Sequence, residues 1–182
     1  FLALALHSDD KPVDALRVAL QTLAPRLPRY QRAVGAYAGE LAKPDRVRAI
    51  SVGVLVRGDE VLLEAYPAND RHAEFLRAPG GGIDFGESAE EALRREFAEE
   101  LDATLEHVRP LAVTENIFDG AGARGHEIVH VYAVESADLA GLPSGDRLAV
   151  RDSHTTVGWY DLAALRRGGV SVYPVGVLDL LG

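Results

Sequence analysis

Two glutamates occupy helical positions that an ordinary amphipathic helix gives to apolar side chains. Residues 79–103 read PGGGIDFGESAEEALRREFAEELDA. Ser88 followed three residues later by Glu91 is a capping-box signal, in which the serine hydroxyl accepts from the backbone N–H of residue 91 while the glutamate reaches back. A helix is therefore predicted to begin near Ala89. At about 100° per residue, Ala89, Ala92, Leu93, Phe97 and Leu101 share one broad arc, the face such a helix buries. On the same wheel Glu96 falls between Ala89 and Ala92, and Glu100 falls between Ala89 and Leu93.

These two acids stand at i and i+4, a spacing at which like charges destabilise a helix by roughly 0.2–0.5 kcal/mol even when exposed. Partial burial adds to that cost. Glu99 borders the same edge. Three carboxylates gathered in this way suit a hard divalent cation such as Mg²⁺ or Mn²⁺, whose coordination converts repulsion into shared ligation, and the trio is read as metal ligands. The competing reading is a solvated acidic face with ordinary salt bridges, Arg95 and Glu99 at i and i+4 being one of them. Ligation is favoured by the acids' place on the apolar arc and by the glycines that precede the helix. Gly80, Gly81 and Gly82, read as a turn, permit positive φ and close backbone approach, and Gly86 marks a second turn before Glu87.

From Gly81 onward the spacing G-x5-E-x7-R-E-U-x-E-E is met by Gly81, Glu87, Arg95, Glu96, Phe97, Glu99 and Glu100. This resembles the Nudix box of the Nudix hydrolases. The family pattern closes with glycine and an aliphatic residue, where this chain has Asp102 and Ala103. The resemblance extends to roughly residues 46–182 and implies the Nudix fold, a mixed β-sheet sandwiched between α-helices. It also implies a pyrophosphohydrolase: metal-assisted attack of water on phosphorus in a nucleoside diphosphate derivative or a nucleoside triphosphate, with Mg²⁺ or Mn²⁺ as the ion. On this resemblance Glu96, Glu99 and Glu100 are metal ligands, Arg95 orients Glu96, Glu87 is a weaker or outer-sphere ligand, and Gly81 offers its carbonyl or its close backbone. The general base in this family often lies outside the box. Glu127 and Asp152 are the candidates, with Glu115 third, alongside the box acids themselves. Arg77 is a candidate phosphate contact because a guanidinium matches phosphate bidentately.

The rest of the chain frames this stretch. Residues 8–43 read as two amphipathic helices joined by APRLP, and residues 43–45 as a linker. Residues 1–45 are thus expected to form a helical extension, packed on the body or swapped between subunits, with simple packing weighed against a lid or a homodimer surface. Residues 46–182 form the expected Nudix domain. Ile50, Val52, Val54 and Val56 alternate onto one strand face, Gly58 turns the chain, and residues 61–66 return as a second strand. Residues 75–78 form a short strand into the glycines. Residues 105–118 and 127–134 are further strands, separated by GAGARG at residues 120–125. With Arg124 and His126 that loop either closes over an anionic ligand or is an ordinary hairpin tip. Residues 155–160 read as a last strand, followed by a short helix capped by Asp161. Strands on both sides of one acidic helix give the α+β class.

Composition excludes several functions. A formal charge of −9 argues against a DNA-binding or anionic-membrane surface, which needs clustered Lys and Arg, while a bound cation still allows a nucleotide or another nucleoside diphosphate-linked partner. The apolar FLALAL start is too short to span a bilayer. Cysteine is absent, which removes disulfides, thiolate metal sites and cysteine nucleophiles, and suits a reducing, cytoplasmic setting. His7, His72, His107, His126, His130 and His154 provide no convincing ligand pair, since His126 and His130 stand about 13 Å apart on a strand. Trp159 and Tyr160 offer a surface for base stacking or, more plainly, core. Two functions are weighed: the hydrolase, and a Nudix-fold module that senses a nucleotide without turnover. Loss of Glu96, Glu99 or Glu100 would favour the second, and all three are present.

Overall fold

The computed structural model describes residues 2–8, 12–27, 31–40, 47–69, 73–120, 123–151 and 153–182. Contacts group the chain into two units, Phe1–Arg46 and Val47–Gly182. The first is helical, with α1 (Leu2–Ser8), α2 (Pro12–Leu23), a 3-10 turn (Ala24–Arg26) and α3 (Gln31–Glu40). Pro25 stands in the first turn of the 3-10 segment, where a missing N–H leaves no helical bond unmade. The expected linker at residues 43–45 lies outside the described residues.

The second unit runs β1 (Val47–Val54), β2 (Val56–Arg57), β3 (Glu60–Tyr66), β4 (Phe75–Arg77), β5 (Gly80–Gly82), α4 (Ala89–Leu101), β6 (His107–Gly120), β7 (Ala123–Glu135), α5 (Ala137–Ala140), β8 (Leu148–Ala149), β9 (Thr156–Asp161), α6 (Leu162–Arg166) and β10 (Ser171–Tyr173), closing on a 3-10 turn (Val177–Leu181). One sheet has the order β5-β1-β7-β6, and the other the order β10-β4-β3-β9-β8 with β2 paired to β3. The pairs β1–β7 and β10–β4 are parallel and the remainder antiparallel, so the sheets are mixed and the class is α+β, as the sequence leads one to expect.

Alternation along the strands divides the apolar residues between two cores. Val61 and Leu63 of β3 join Ile50, Val52, Val129 and Val131 under Leu162 and Leu165 of α6. Leu62 points the other way, into a core with Trp159 and with Leu93, Phe97 and Leu101 of α4. Helices therefore cover both faces of the strands. Leu93 and Phe97 are fully buried, each such side chain stabilising by roughly 1.5–3 kcal/mol. Their seat depends on Gly53, where an added Cβ would come within 2.9 Å of Phe97 Cζ.

Four expectations are corrected. Gly80–Gly82 is a strand, paired residue by residue with β1, and the turn follows it, closed by Glu87 N–H donating to Asp84 O at 3.1 Å. Glycine has poor strand propensity, so it is the partner strand that imposes the extended form. Val56 is exposed, unlike Ile50, Val52 and Val54, because the chain leaves the strand at Leu55 and re-enters as β2. The GAGARG stretch is mostly hairpin strand, with pairing that continues to Gly120 opposite Ala123. The strand at residues 156–161 is followed by another, β10.

Both ends of α4 are built locally. The capping box is complete, Ser88 Oγ accepting from Glu91 N–H and Glu91 reaching back to Ser88 N–H. At the other end Asp102 holds φ +55° and is the described non-glycine residue with positive φ. This is the position where the family pattern has glycine, and the left-handed conformation explains that preference. Asp102→Gly is expected to stabilise the protein by about 0.5–1 kcal/mol by removing Cβ strain. Urea unfolding checks it, and a lower midpoint for the variant would show that Asp102 is unstrained.

Candidate functional site

Arg95 fixes the geometry of the site. It projects from α4 and makes a two-pronged pair with Glu87, Nε to Oε1 at 2.9 Å and Nη2 to Oε2 at 2.9 Å. Nη2 also donates to the Gly82 carbonyl at 3.0 Å. The remaining nitrogen donates to Glu96 Oε1 at 2.8 Å and to Glu99 Oε2 at 3.4 Å. One guanidinium thus ties the strand end, the turn and two acids of the helix together. Glu87 is held below the usual carboxylate range, first by Arg95 and then by the backbone N–H of Asp84. Both of its oxygens are engaged, so in this arrangement it seats Arg95 rather than standing free as a ligand.

Glu96 is mostly buried, its side chain 13% exposed, and it lies flat against Gly81, where any Cβ would collide with the carboxyl group. Glu99 is largely exposed. Glu100 is half-buried, and its pKa is pushed up to about 7 by burial first, then by the charges of Glu96 and Glu64, with Glu99 adding to them and Arg77 offsetting only part. The acids that the sequence places on one helix edge therefore do face one another.

A further carboxylate joins them from outside the helix. Glu64 of β3 is 4% exposed, accepts from Thr155 Oγ1 and stands opposite Arg77 in the β3–β4 register. By alternation it shares a strand face with Leu62, which packs on α4. Its signal was present in the sequence, since Glu64 interrupts the apolar run of residues 61–65 just as Glu96 and Glu100 interrupt the helix arc. Tyr66 lies beside it on the same strand face, with its hydroxyl pKa pushed up to about 12 chiefly by burial, the charges of Arg77 and Glu64 acting in opposite directions.

The other sequence candidates are distributed as follows. Arg77 is half-buried and donates to Gly80 O at 3.4 Å. Glu127 pairs with Arg48 at 3.5 Å and shares its strand face with Val129 and Val131, the face turned away from α4. Glu115 and His126 are bonded to each other at 2.7 Å, on the strand face that carries Ser51 and Gly81. Asp152 and the Arg124 side chain lie outside the described residues. Trp159 is core, 4% exposed, with Arg57 stacked 4.2 Å from its ring centroid, and Tyr160 lies under Arg147 at 4.6 Å.

The donor set suits a hard divalent cation: carboxylates on α4, a backbone carbonyl at Gly81 and an excess of negative charge around Glu100. Ser51 Oγ, buried and without a hydrogen-bond partner, stands opposite Gly81 in register and leaves a polar atom for an ordered water. Among the described residues no three acidic or histidine side chains already converge as a metal cluster. Glu96 and Glu99 are turned to Arg95, so ion capture requires their rotation.

Comparison with known proteins bears on the family and the fold. A family described as NUDIX domain matches residues 47–175, and one described as Tetratrico peptide repeat matches residues 1–41. The chain is 41% identical over 66 residues to an RNA pyrophosphohydrolase of Ruthia magnifica, covering 35% of each protein. It is 55% identical over 38 residues to an RNA pyrophosphohydrolase of Pseudoalteromonas atlantica, covering 21% of this chain and 22% of that one. The matches thus span about a fifth to a third of those relatives' lengths. A NUDIX hydrolase structure from Nitrosomonas europaea shares the fold, with a TM-score of 0.51 and 18% identity over 75% of this chain and 86% of that one. No helix among the described residues is long and apolar enough to cross a membrane.

Glu100 gives a pH-dependent expectation. An unfolded glutamate ionises near 4.5 and the folded Glu100 near 7, so between those values the folded form keeps a proton that the unfolded form releases. Its contribution to stability falls as pH rises through that window and stays low above it. Without divalent ions, Glu100→Gln is expected to melt about 2–4 °C above the unaltered protein at pH 8, after allowance for solvent screening, and level with it near pH 5. Mn²⁺ should raise the melting temperature of the unaltered protein at pH 8 more than that of the variant. A variant that melts lower at pH 8 would show that the repulsion is absent.

Proposed function

The chain belongs to the Nudix hydrolase family, its NUDIX domain spanning residues 47–175, and on that premise we propose that it hydrolyses a phosphoanhydride bond in a nucleoside diphosphate derivative or nucleoside triphosphate by metal-dependent attack of water on phosphorus. The observation that carries this reading is the placement of Glu96, Glu99 and Glu100 on one edge of α4, with Glu96 against Gly81 and Glu100 left without enough positive charge to offset its neighbours.

Glu96, Glu99 and Glu100 would hold Mg²⁺ or Mn²⁺, with the Gly81 carbonyl as a further oxygen. Bound there, the ion would supply polarisation of a phosphoryl oxygen, a lowered pKa for water and shielding of the diphosphate charge. Arg95 orients Glu96 and holds Glu99 within reach until an ion competes for them. Gly81 lets backbone lie directly on the Glu96 carboxyl, a closeness that no other residue type permits there. Arg77, beside the acids, is the candidate contact for the diphosphate. One of the box acids is also a candidate base, acting with the ion in place. Glu127 is a weaker one because of its face and its pairing with Arg48.

Substrate choice rests with the groups around this centre. The names of the two partial relatives add a 5′-triphosphorylated RNA end to the substrates worth testing. Residues 67–69, 73 and 74 and the β6–β7 hairpin would select the leaving group. A nucleotide-directed role accords with a cytoplasmic protein, and the helical unit would be the part to carry a homodimer surface.

The test is product formation from nucleoside diphosphate derivatives, nucleoside triphosphates and 5′-triphosphorylated RNA with Mg²⁺ or Mn²⁺. Cleavage is expected with at least one class, abolished by chelator and lowered roughly 100-fold or more in kcat by Glu99→Gln. Tight binding without cleavage across the whole panel would replace the hydrolase with a nucleotide sensor.

A further inference from the structure

Glu64 combines the burial of a core residue with a charge that a core seldom carries. A carboxylate so placed is costly unless its oxygens are bonded and its charge is paired. The first condition is met from outside α4, and a cation stands across the strands from the carboxylate. Thr155 Oγ1 donates to Oε1, and Thr155, itself 8% exposed, is steadied by Ser153 Oγ at 2.7 Å. On the other side Arg77 stands directly across the β3–β4 ladder, a placement at which opposite charges attract, and the charges of both act on the Tyr66 hydroxyl. Phe75 stacks on Tyr66, ring centroids 4.6 Å apart, which fixes the plane from which that hydroxyl extends.

Arg77 thus faces Glu64 across the strands and donates to the Gly80 carbonyl at 3.4 Å, one residue before the glycine that lies on Glu96. An arginine on a three-residue strand would otherwise sample many rotamers, and immobilising it at the moment of binding would weaken affinity. We propose that Glu64 is a positioning residue: with Tyr66 it holds the Arg77 guanidinium in place for the substrate diphosphate, and Thr155 holds Glu64. The inference rests on the reading of Arg77 as a phosphate contact. It separates Glu64 from the ligands on α4, because coordinating an ion through Oε1 would break the Thr155 bond.

The full chain at pH 8 with saturating Mg²⁺ supplies the test, with calorimetric affinity for imidodiphosphate, a diphosphate that resists hydrolysis, as the readout. Mn²⁺ affinity, measured by electron paramagnetic resonance, is followed alongside. Arg77→Ala is expected to weaken diphosphate binding roughly tenfold and Glu64→Gln about three- to tenfold, with the double variant no weaker than Arg77→Ala alone because Glu64 acts through Arg77. Thr155→Val should weaken binding in the same direction by a smaller factor, and it carries the test if Glu64→Gln fails to fold. Mn²⁺ affinity should stay within about twofold of the unaltered protein in Glu64→Gln.

Additive losses in the double variant would overturn the proposal, as would Glu64→Gln at unaltered diphosphate affinity while Arg77→Ala is weakened, leaving Glu64 as a structural ion pair only. A roughly tenfold fall in Mn²⁺ affinity in Glu64→Gln would overturn it in favour of ligation. Unchanged diphosphate affinity in Arg77→Ala, or no binding by the unaltered protein, would instead remove the phosphate-contact reading beneath it.

Discussion

The close seat of α4 on the β1–β5 strands is the constraint on which the site depends. Two absent side chains make it possible. At Gly53 a Cβ would press on Phe97, and at Gly81 it would strike the Glu96 carboxyl. The first sets how deeply the apolar edge of the helix sinks, and the second sets how near its acidic edge comes to backbone. Because Phe97 and Glu96 are adjacent in sequence, depth on one edge fixes depth on the other. A helix lifted by the width of a methyl group would lose packing at Phe97 and would also draw its acids away from the Gly81 carbonyl.

Much of this was readable from local sequence, and the exceptions share a cause. The α4 limits, its capping box, the capped α6 helix and the acids on the apolar arc all follow from residues within a turn of one another. The glycine strand did not, because Gly80–Gly82 is extended only through its pairing with β1, some thirty residues earlier. The face of Glu127 was hidden for the same reason, being set by the parallel register of β7 on β1. The GAGARG hairpin misled by composition, since glycine favours a loop locally while ladder bonds from β6 extend the strand. Glu64 was the readable residue left unread, a charge inside a short apolar run.

Charge is distributed in the domain as a deliberate imbalance. Arg95 is saturated by Glu87, Glu96, Glu99 and a carbonyl, and Arg77 faces Glu64 across the β3–β4 ladder. Glu100 receives only the remainder. Active sites are commonly the places where a fold tolerates such destabilisation, since the same repulsion that weakens the empty protein strengthens its hold on a cation. The chain behind Glu64 has the opposite character, Ser153, Thr155 and Glu64 being hydrogen-bonded each to the next.

The five-donor attachment of Arg95 bears on the entropy of ion capture. If Glu96 and Glu99 swing from the guanidinium to an ion, Arg95 still keeps its two bonds to Glu87 and its bond to Gly82 O. The turn before the helix therefore stays where it is, and no backbone torsion has to be frozen when the ion arrives. Only the side-chain torsions of the acids remain to be ordered, at roughly 0.5–1.5 kcal/mol for each immobilised side chain. Glu99, the most exposed of them, has the most freedom to lose.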